Sequence, residues 1–210
     1  AIWPNAGFEE NFHLEGTWHN LLNLMSRPVR RLFSRAVSFP IALVNRLLSA
    51  LGIGGPWWSQ ITDEIYLGAM PFLPGDVELL HQLGVRYVVN TCDEWRSPVD
   101  TYDYFGIQHL YIPVIDASPP TMGDIVRAID FLDRADPQAK IFIHCRAGRG
   151  RSTTILMCYL MHRNKWSRTQ TQDIIAAHRQ ISSNVCNRPI VVQFEQLMKE
   201  NQDLHVVLQV

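Results

Sequence analysis

Between positions 17 and 58 apolar residues return at steps of mostly three and four: Leu21, Leu22, Leu24, Met25, Val29, Leu32, Phe33, Val37, Ile41, Val44, Leu47, Leu48 and Leu51. Steps of that size match the turn of an α-helix, and the arginines fall off the apolar stripe in places. Pro28 and Pro40 are expected to divide the stretch into short helices, because proline lacks the N–H a helix interior uses. Gly52, Gly54, Gly55 and Pro56 end it, and Trp57-Trp58 introduces the next domain. Residues 1–16 carry no such period and read as irregular.

From Ile61 onward the pattern changes. Residues 61–67, 85–90, 110–113 and 141–144 read as short β-rich runs. Between them lie a helix over 73–83, stopped by Gly84, and one opened by Thr121 with Asp124 at the capping-box position and running to 134. Residues 152–163 form an apolar and hence buried helix. Ser167 with Gln170 caps the next, to about 179, and Arg188-Pro189 starts the last, to about 201. Strands alternating with helices imply an α/β fold with a central, mostly parallel sheet flanked by helices. The expected organisation is an N-terminal amphipathic helical segment over 1–58 and an α/β domain over 59–210.

Composition narrows the function classes. With 210 residues, 47% of them hydrophobic and 19% charged, the chain is globular, not disordered. A net charge of −1 argues against binding nucleic acid by bulk electrostatics. The charge is uneven, however. No acid occurs between Glu15 and Asp63, whereas Arg27, Arg30, Arg31, Arg35 and Arg46 do; from Asp63 onward 14 Lys+Arg face 17 Asp+Glu. No uncharged apolar run reaches the roughly 20 residues of a bilayer span. Residues 17–58 therefore read either as helices packed on the domain or as an interfacial segment lying in a membrane surface, arginines to headgroups and Leu/Trp to acyl chains. The second reading is preferred, for the lack of acids and the paired tryptophans. Cys92, Cys145, Cys158 and Cys186 show no CxxC pairing, which points to a reducing, intracellular compartment. No metal-ligand cluster stands out, and no cofactor is expected.

The chemistry concentrates in Ile141-Phe142-Ile143-His144-Cys145-Arg146-Ala147-Gly148-Arg149-Gly150-Arg151-Ser152, a strand, a tight loop and a buried helix. Loop N–H groups and a helix N-terminus converge on one spot, the arrangement that binds phosphate. Gly148 and Gly150 permit the required backbone angles, and Arg151 offers a two-pronged grip on phosphate oxygens. Cys145 sits where a thiolate is favoured, a nucleophile at neutral pH. A buried structural cysteine would need none of these neighbours.

This segment resembles the His-Cys-x-x-Gly-x-x-Arg-Ser/Thr signature of the protein tyrosine and dual-specificity phosphatase superfamily, over roughly residues 61–197. The resemblance implies that Cys145 forms a thiophosphoryl intermediate and Arg151 binds substrate and transition state. It further implies that His144 orders the loop and helps set the thiol's acidity, and that Ser152 eases departure of the thiolate. The loop residues Arg146, Ala147, Gly148, Arg149 and Gly150 would contact the phosphate. Asp116, in Pro113-Val114-Ile115-Asp116-Ala117-Ser118-Pro119-Pro120 and 29 residues before Cys145, is the expected general acid.

Arg146 and Arg149 add two cations to the loop, which is similar to the basic loops of lipid-directed members, phosphoinositide 3-phosphatases and mitochondrial phosphatidylglycerophosphate phosphatases among them. Asp93-Glu94-Trp95 resembles an acidic-acidic-aromatic element of the latter, with Asp for a usual Glu, Trp for a usual Tyr and Arg96 for an acid. Asp93 and Glu94 would then accept hydrogen bonds from glycerol or inositol hydroxyls. The implied function is phosphate monoester hydrolysis on a phospholipid, with the membrane surface as partner and the mitochondrial inner membrane as location. A protein tyrosine/serine/threonine phosphatase and an inactive phosphate-binding adaptor are the alternatives. Arg188 is expected either to brace the loop or simply to start a helix. Cys92 is expected to join Cys145 in a reversible disulfide on oxidation; peroxide-treated protein lacking a Cys92–Cys145 peptide by mass spectrometry would refute this.

Overall fold

The computed structural model describes residues 24–53 and 55–200. The expectations for residues 1–16, for Leu21, Leu22 and Gly54, and for the chain from 201 onward lie outside the described residues. Five strands, β1 (Trp58–Gln60), β2 (Ile65–Gly68), β3 (Val85–Cys92), β4 (Gln108–Val114) and β5 (Lys140–His144), form one sheet in the order β1-β2-β5-β3-β4. Only the β1/β2 pair is antiparallel. The helices are α1 (Arg27–Ala50), α2 (Asp76–Gln82), α3 (Val99–Tyr104), α4 (Met122–Asp133), α5 (Arg151–Asn164), α6 (Arg168–His178) and α7 (Pro189–Lys199), with a 3-10 turn at Val185–Asn187. This is the expected α/β fold, a mostly parallel sheet flanked by helices.

The sheet is covered on both faces, so its central strands are apolar throughout instead of alternating. Along β5, Ile141 and Ile143 enter the larger core with Val89, Ile125, Ile155 and Leu156. Phe142, between them, enters the smaller core with Tyr66, Val88 and Tyr102 on the other face. Every residue of α5 from Arg151 to Met161 is buried, which explains its lack of a polar face. The ends of α4 and α6 obey the capping boxes read from the sequence: Thr121 with Asp124, and Ser167 with Gln170, exchange both reciprocal hydrogen bonds.

Three elements depart from expectation. The run at 61–67 is strand only from Ile65, within β2; residues 61–64 form the turn that joins it to β1, and the two strands pair as Trp58 with Gly68 through Gln60 with Tyr66. The short α3, beginning after Pro98, has no counterpart among the expected helices. Pro28 and Pro40 do not divide the N-terminal helix. Pro28 falls in the first turn of α1, where no N–H is needed, and Pro40 sits inside it on the exposed side, where the Ala36 carbonyl it leaves unbonded is open to water.

α1 packs through small residues. Ser34, Ser38 and Ala42, four apart and therefore on one face, are its buried positions. Ala42 joins a cluster with Met70, Cys92 and Cys145, against which Phe72 and Trp95 also pack. Phe39 meets Phe72 edge-on, with ring centroids 6.1 Å apart. Arg46 pairs with Asp76 and lies 3.8 Å over the Trp57 ring. The large apolar residues face the other way: Val29, Leu32, Leu43, Leu47 and Leu51 are 54%, 73%, 47%, 58% and 74% exposed. Among the described residues no helix is long and apolar enough to cross a membrane.

Candidate active site

β5 ends at His144 and α5 begins at Arg151, so the loop between them emerges from the middle of the sheet. The carbonyls of 146–150 are all claimed from outside. Arg146 O accepts from Met70 N (3.4 Å) and Arg149 O from Ser182 N (2.9 Å). Arg179 donates to Ala147 O (2.9 Å) and Gly148 O (3.0 Å), and Arg188 to Gly150 O (3.1 Å). In a trans peptide the N–H points opposite to the C=O. Turning these carbonyls outward therefore turns the N–H groups of 147–151 inward, as a nest for an anion. Gly148 has φ +70°, and a Cβ there would lie 2.4 Å from the backbone of Gly68, so glycine is required twice over.

Inside the loop, Cys145 Sγ accepts from Gly148 N and from Ser152 Oγ, each at 3.2 Å. Burial alone would push the thiol up. The Arg151 guanidinium, together with hydrogen bonds from Ser152 and Gly148, more than offsets this and brings it from 9.0 to about 7. Alkylation by iodoacetamide is therefore expected to rise with pH through a midpoint near 7, as thiolate replaces thiol; a midpoint at 9.0 would contradict the geometry.

Arg151 is itself buried. It spans both oxygens of Glu94 (2.7 and 2.6 Å), donates to Val114 O (2.7 Å) and lies 3.2 Å from Asp116. Burial opposes its charge, but Asp116 and Glu94 hold its pKa well above the usual value. Asp116 also pairs with Arg146 at 2.7 Å, which ties the candidate acid to the phosphate loop. The next residue, Ala117, has φ +59°, and Ser118 N closes a turn on Ile115 O at 3.0 Å. Such a conformation costs a non-glycine residue energy and fixes the aspartate's approach.

His144 is fully buried, its ring stacked on Phe142 with centroids 5.4 Å apart, while its carbonyl accepts from Thr91 Oγ1 at 2.9 Å. Burial lowers its pKa to about 3, so the ring is neutral at neutral pH. Cys92 and Cys145 are free thiols in one buried cluster, and burial pushes Cys92 well up.

The structure thus brings together Cys145, Arg146, Ala147, Gly148, Arg149, Gly150, Arg151, Ser152 and Asp116. Asp93 and Glu94, read from the sequence as hydroxyl acceptors for a headgroup, are engaged by arginines instead. Glu94 grips Arg151, and Asp93 turns to α1, where Arg31 Nε donates to its two oxygens at 3.0 and 2.8 Å and Arg35 lies at 3.5 Å. Arg188 does brace the loop, bonding also to Thr154 Oγ1 at 2.7 Å. Sequence reading missed Arg179. It sits at the end of α6 and clasps loop carbonyls to Pro56 O (3.1 Å), Trp57 O (3.3 Å) and Ser59 Oγ (3.2 Å). Nothing local to Arg179 signals that task; its partners are about 30 and 120 residues away.

Comparison with known proteins agrees with this geometry. Residues 65–199 match the family model of the dual specificity phosphatase catalytic domain. A phosphatidylglycerophosphate phosphatase of Arabidopsis thaliana, PTPMT1, is 38% identical over 136 residues, 62% of this chain and 40% of that protein. A second from the same plant, PTPMT2, is 30% identical over 168 residues, 78% of this chain and 73% of that protein. The chain thus spans less than half of the first relative and about three quarters of the second. Among solved structures, a crystal structure of PTPMT1 shares the fold, with a TM-score of 0.60 at 22% identity over 69% of this chain and 98% of that one. With a loop built to hold an anion around an acidified thiol, and a family match across most of the chain, the protein is a phosphatase and belongs to the dual specificity phosphatase family.

Proposed function

We propose that the protein hydrolyses the phosphate monoester of a phospholipid, such as phosphatidylglycerophosphate or a phosphoinositide, through a cysteinyl-phosphate intermediate. The observation that carries the chemistry is the ring of outward-bonded carbonyls at 146–150, which turns the N–H groups of 147–151 inward around the Cys145 thiolate, one of them, Gly148 N–H, already bonded to its sulfur, and toward one phosphoryl group. Cys145 Sγ attacks phosphorus while Asp116 gives a proton to the departing alkoxide. Water then attacks the thiophosphate and gives a proton back to Asp116, and the Ser152 hydroxyl, already 3.2 Å from Sγ, supports the thiolate as the S–P bond breaks. Arg151 turns part of its grip from Glu94 to two phosphate oxygens, and Arg146 and Arg149 add positive charge around the site.

Support for a lipid substrate comes from the outward apolar face of α1 and from the activity named for the two plant relatives. In this reading residues 17–58 form the membrane-associating segment and 59–210 the catalytic domain. The enzyme works at an intracellular membrane, the mitochondrial inner membrane being the assignment the family resemblance favours. The test is phosphate release from liposomes carrying phosphatidylglycerophosphate, phosphoinositides or phosphatidic acid, beside phosphotyrosine and phosphoserine peptides. Preference for one lipid is expected. Preference for peptides would overturn the lipid assignment and leave the thiol chemistry standing.

A further inference from the structure

α1 is inside-out for a helix packed on a protein. Its inner face is Ser34, Ser38 and Ala42, whereas Val29, Leu32, Leu43, Leu47 and Leu51 stand in solvent. An exposed apolar row of that extent marks a binding surface. Its occupant is indicated by the charge around it: Arg27, Arg30, Arg31 and Arg35 lie on the helix with no acid among residues 16–62, which fits an anionic lipid surface. The inner face of the same helix reaches the catalytic centre. Ala42 shares a cluster with Cys145, and Arg31 and Arg35 hold Asp93. Asp93 is adjacent in the chain to Glu94, and Glu94 holds Arg151 by both its oxygens.

We propose that Asp93 is a positioning residue that locks α1 to the active site, so that a lipid surface seated on the outer face of α1 is held in fixed register with Arg151 and the phosphate loop. This rests on the phospholipid reading above and adds how the bilayer is coupled to the reaction. The geometry supports it on two counts. Asp93 is 5% exposed, yet its partners come from a helix that otherwise adheres through small side chains, so this pair and Arg46 with Asp76 supply the directional contacts. The two consecutive carboxylates divide their work, Asp93 to the helix and Glu94 to the catalytic arginine, so the helix is anchored one residue from the grip on Arg151 without sharing it.

The experiment compares wild type with Asp93→Asn, Asp93→Glu and Arg31→Ala/Arg35→Ala. Each is measured on a soluble aryl phosphate and on phosphatidylglycerophosphate in mixed phosphatidylcholine–phosphatidylserine vesicles, with vesicle binding read by sedimentation. Asp93→Asn leaves every cation in place and frees Arg31 and Arg35, so binding to the vesicles holds or tightens. Turnover per bound enzyme, relative to aryl phosphate turnover, nevertheless falls about tenfold, the loss expected if roughly one charge-assisted contact no longer orients the transition state. Asp93→Glu restores the ratio, and the double arginine variant lowers it while keeping aryl phosphate turnover. Were the cations mere recruiters, Asp93→Asn would raise vesicle turnover in step with binding, and that result overturns the proposal. Equal losses on both substrates overturn it too, since Asp93 would then act on the site without reference to the membrane. Wild type that turns over the aryl phosphate but no vesicle lipid sinks the substrate reading along with it; wild type that hydrolyses the lipid, with an unmoved ratio in Asp93→Asn, sinks the coupling alone.

Discussion

Cys145→Ser is expected to abolish phosphate release from every substrate, a fall on the order of 10^4-fold or more. The thiol is brought to about 7 by Arg151, Ser152 and Gly148 against the effect of its burial, so a large fraction is thiolate at neutral pH. A serine hydroxyl in the same place stays protonated, because those neighbours cannot bridge the far larger gap to an alkoxide. The loop that holds the phosphate remains, since its carbonyls are bonded by Met70, Arg179, Ser182 and Arg188 and not by the cysteine. The variant should therefore still bind inorganic phosphate or tungstate, measured by calorimetry, while releasing none from a nitrophenyl ester. Turnover within tenfold of wild type would remove Cys145 from the mechanism.

Asp116→Asn is expected to divide substrates by leaving group. An alkoxide such as that of glycerol cannot depart without a proton, so phospholipid hydrolysis should fall by about 10^2–10^3-fold. A nitrophenolate departs unaided, and its release should fall far less. The contrast matters because Asp116 also pairs with Arg146 at 2.7 Å and lies 3.2 Å from Arg151. Loss of those ion pairs alone would harm both substrates alike. A leaving-group dependence separates proton donation from charge balance, and equal losses would assign Asp116 to the latter.

Much of the site is legible in the sequence because its chemistry is local. Cys145, Gly148, Arg151 and Ser152 lie within eight residues, on a strand, loop and helix whose patterns are each clear. The capping boxes at Thr121 and Ser167 can be read because both partners of each bond sit within one turn. What escapes is set by contacts between distant segments. Arg179 looks like a helix end until the loop carbonyls are placed beside it. Asp93 and Glu94 read as a pair with one task, but their partners, Arg31 and Arg151, lie in opposite directions along the chain. Pro40 reads as a helix break on local grounds, yet its exposed position in α1 lets the helix continue around it. The apolar period of α1 is plain in the sequence, but only tertiary packing reveals which face is turned away from the protein.

The contact between Gly148 and Gly68 bears on how this sequence can vary. Most core clashes can be relieved by trimming a neighbouring side chain, so second-site suppressors exist for them. Here a side chain at 148 would meet the carbonyl carbon and oxygen of residue 68 at 2.4 Å, atoms every amino acid carries. A side chain at 68 would in turn strike the Trp57 carbonyl at 2.9 Å. No exchange elsewhere restores the lost space without moving β2 away from the loop. The two positions are therefore closed to drift even in company, and a saturation library with compensating mutations allowed should return glycine at both.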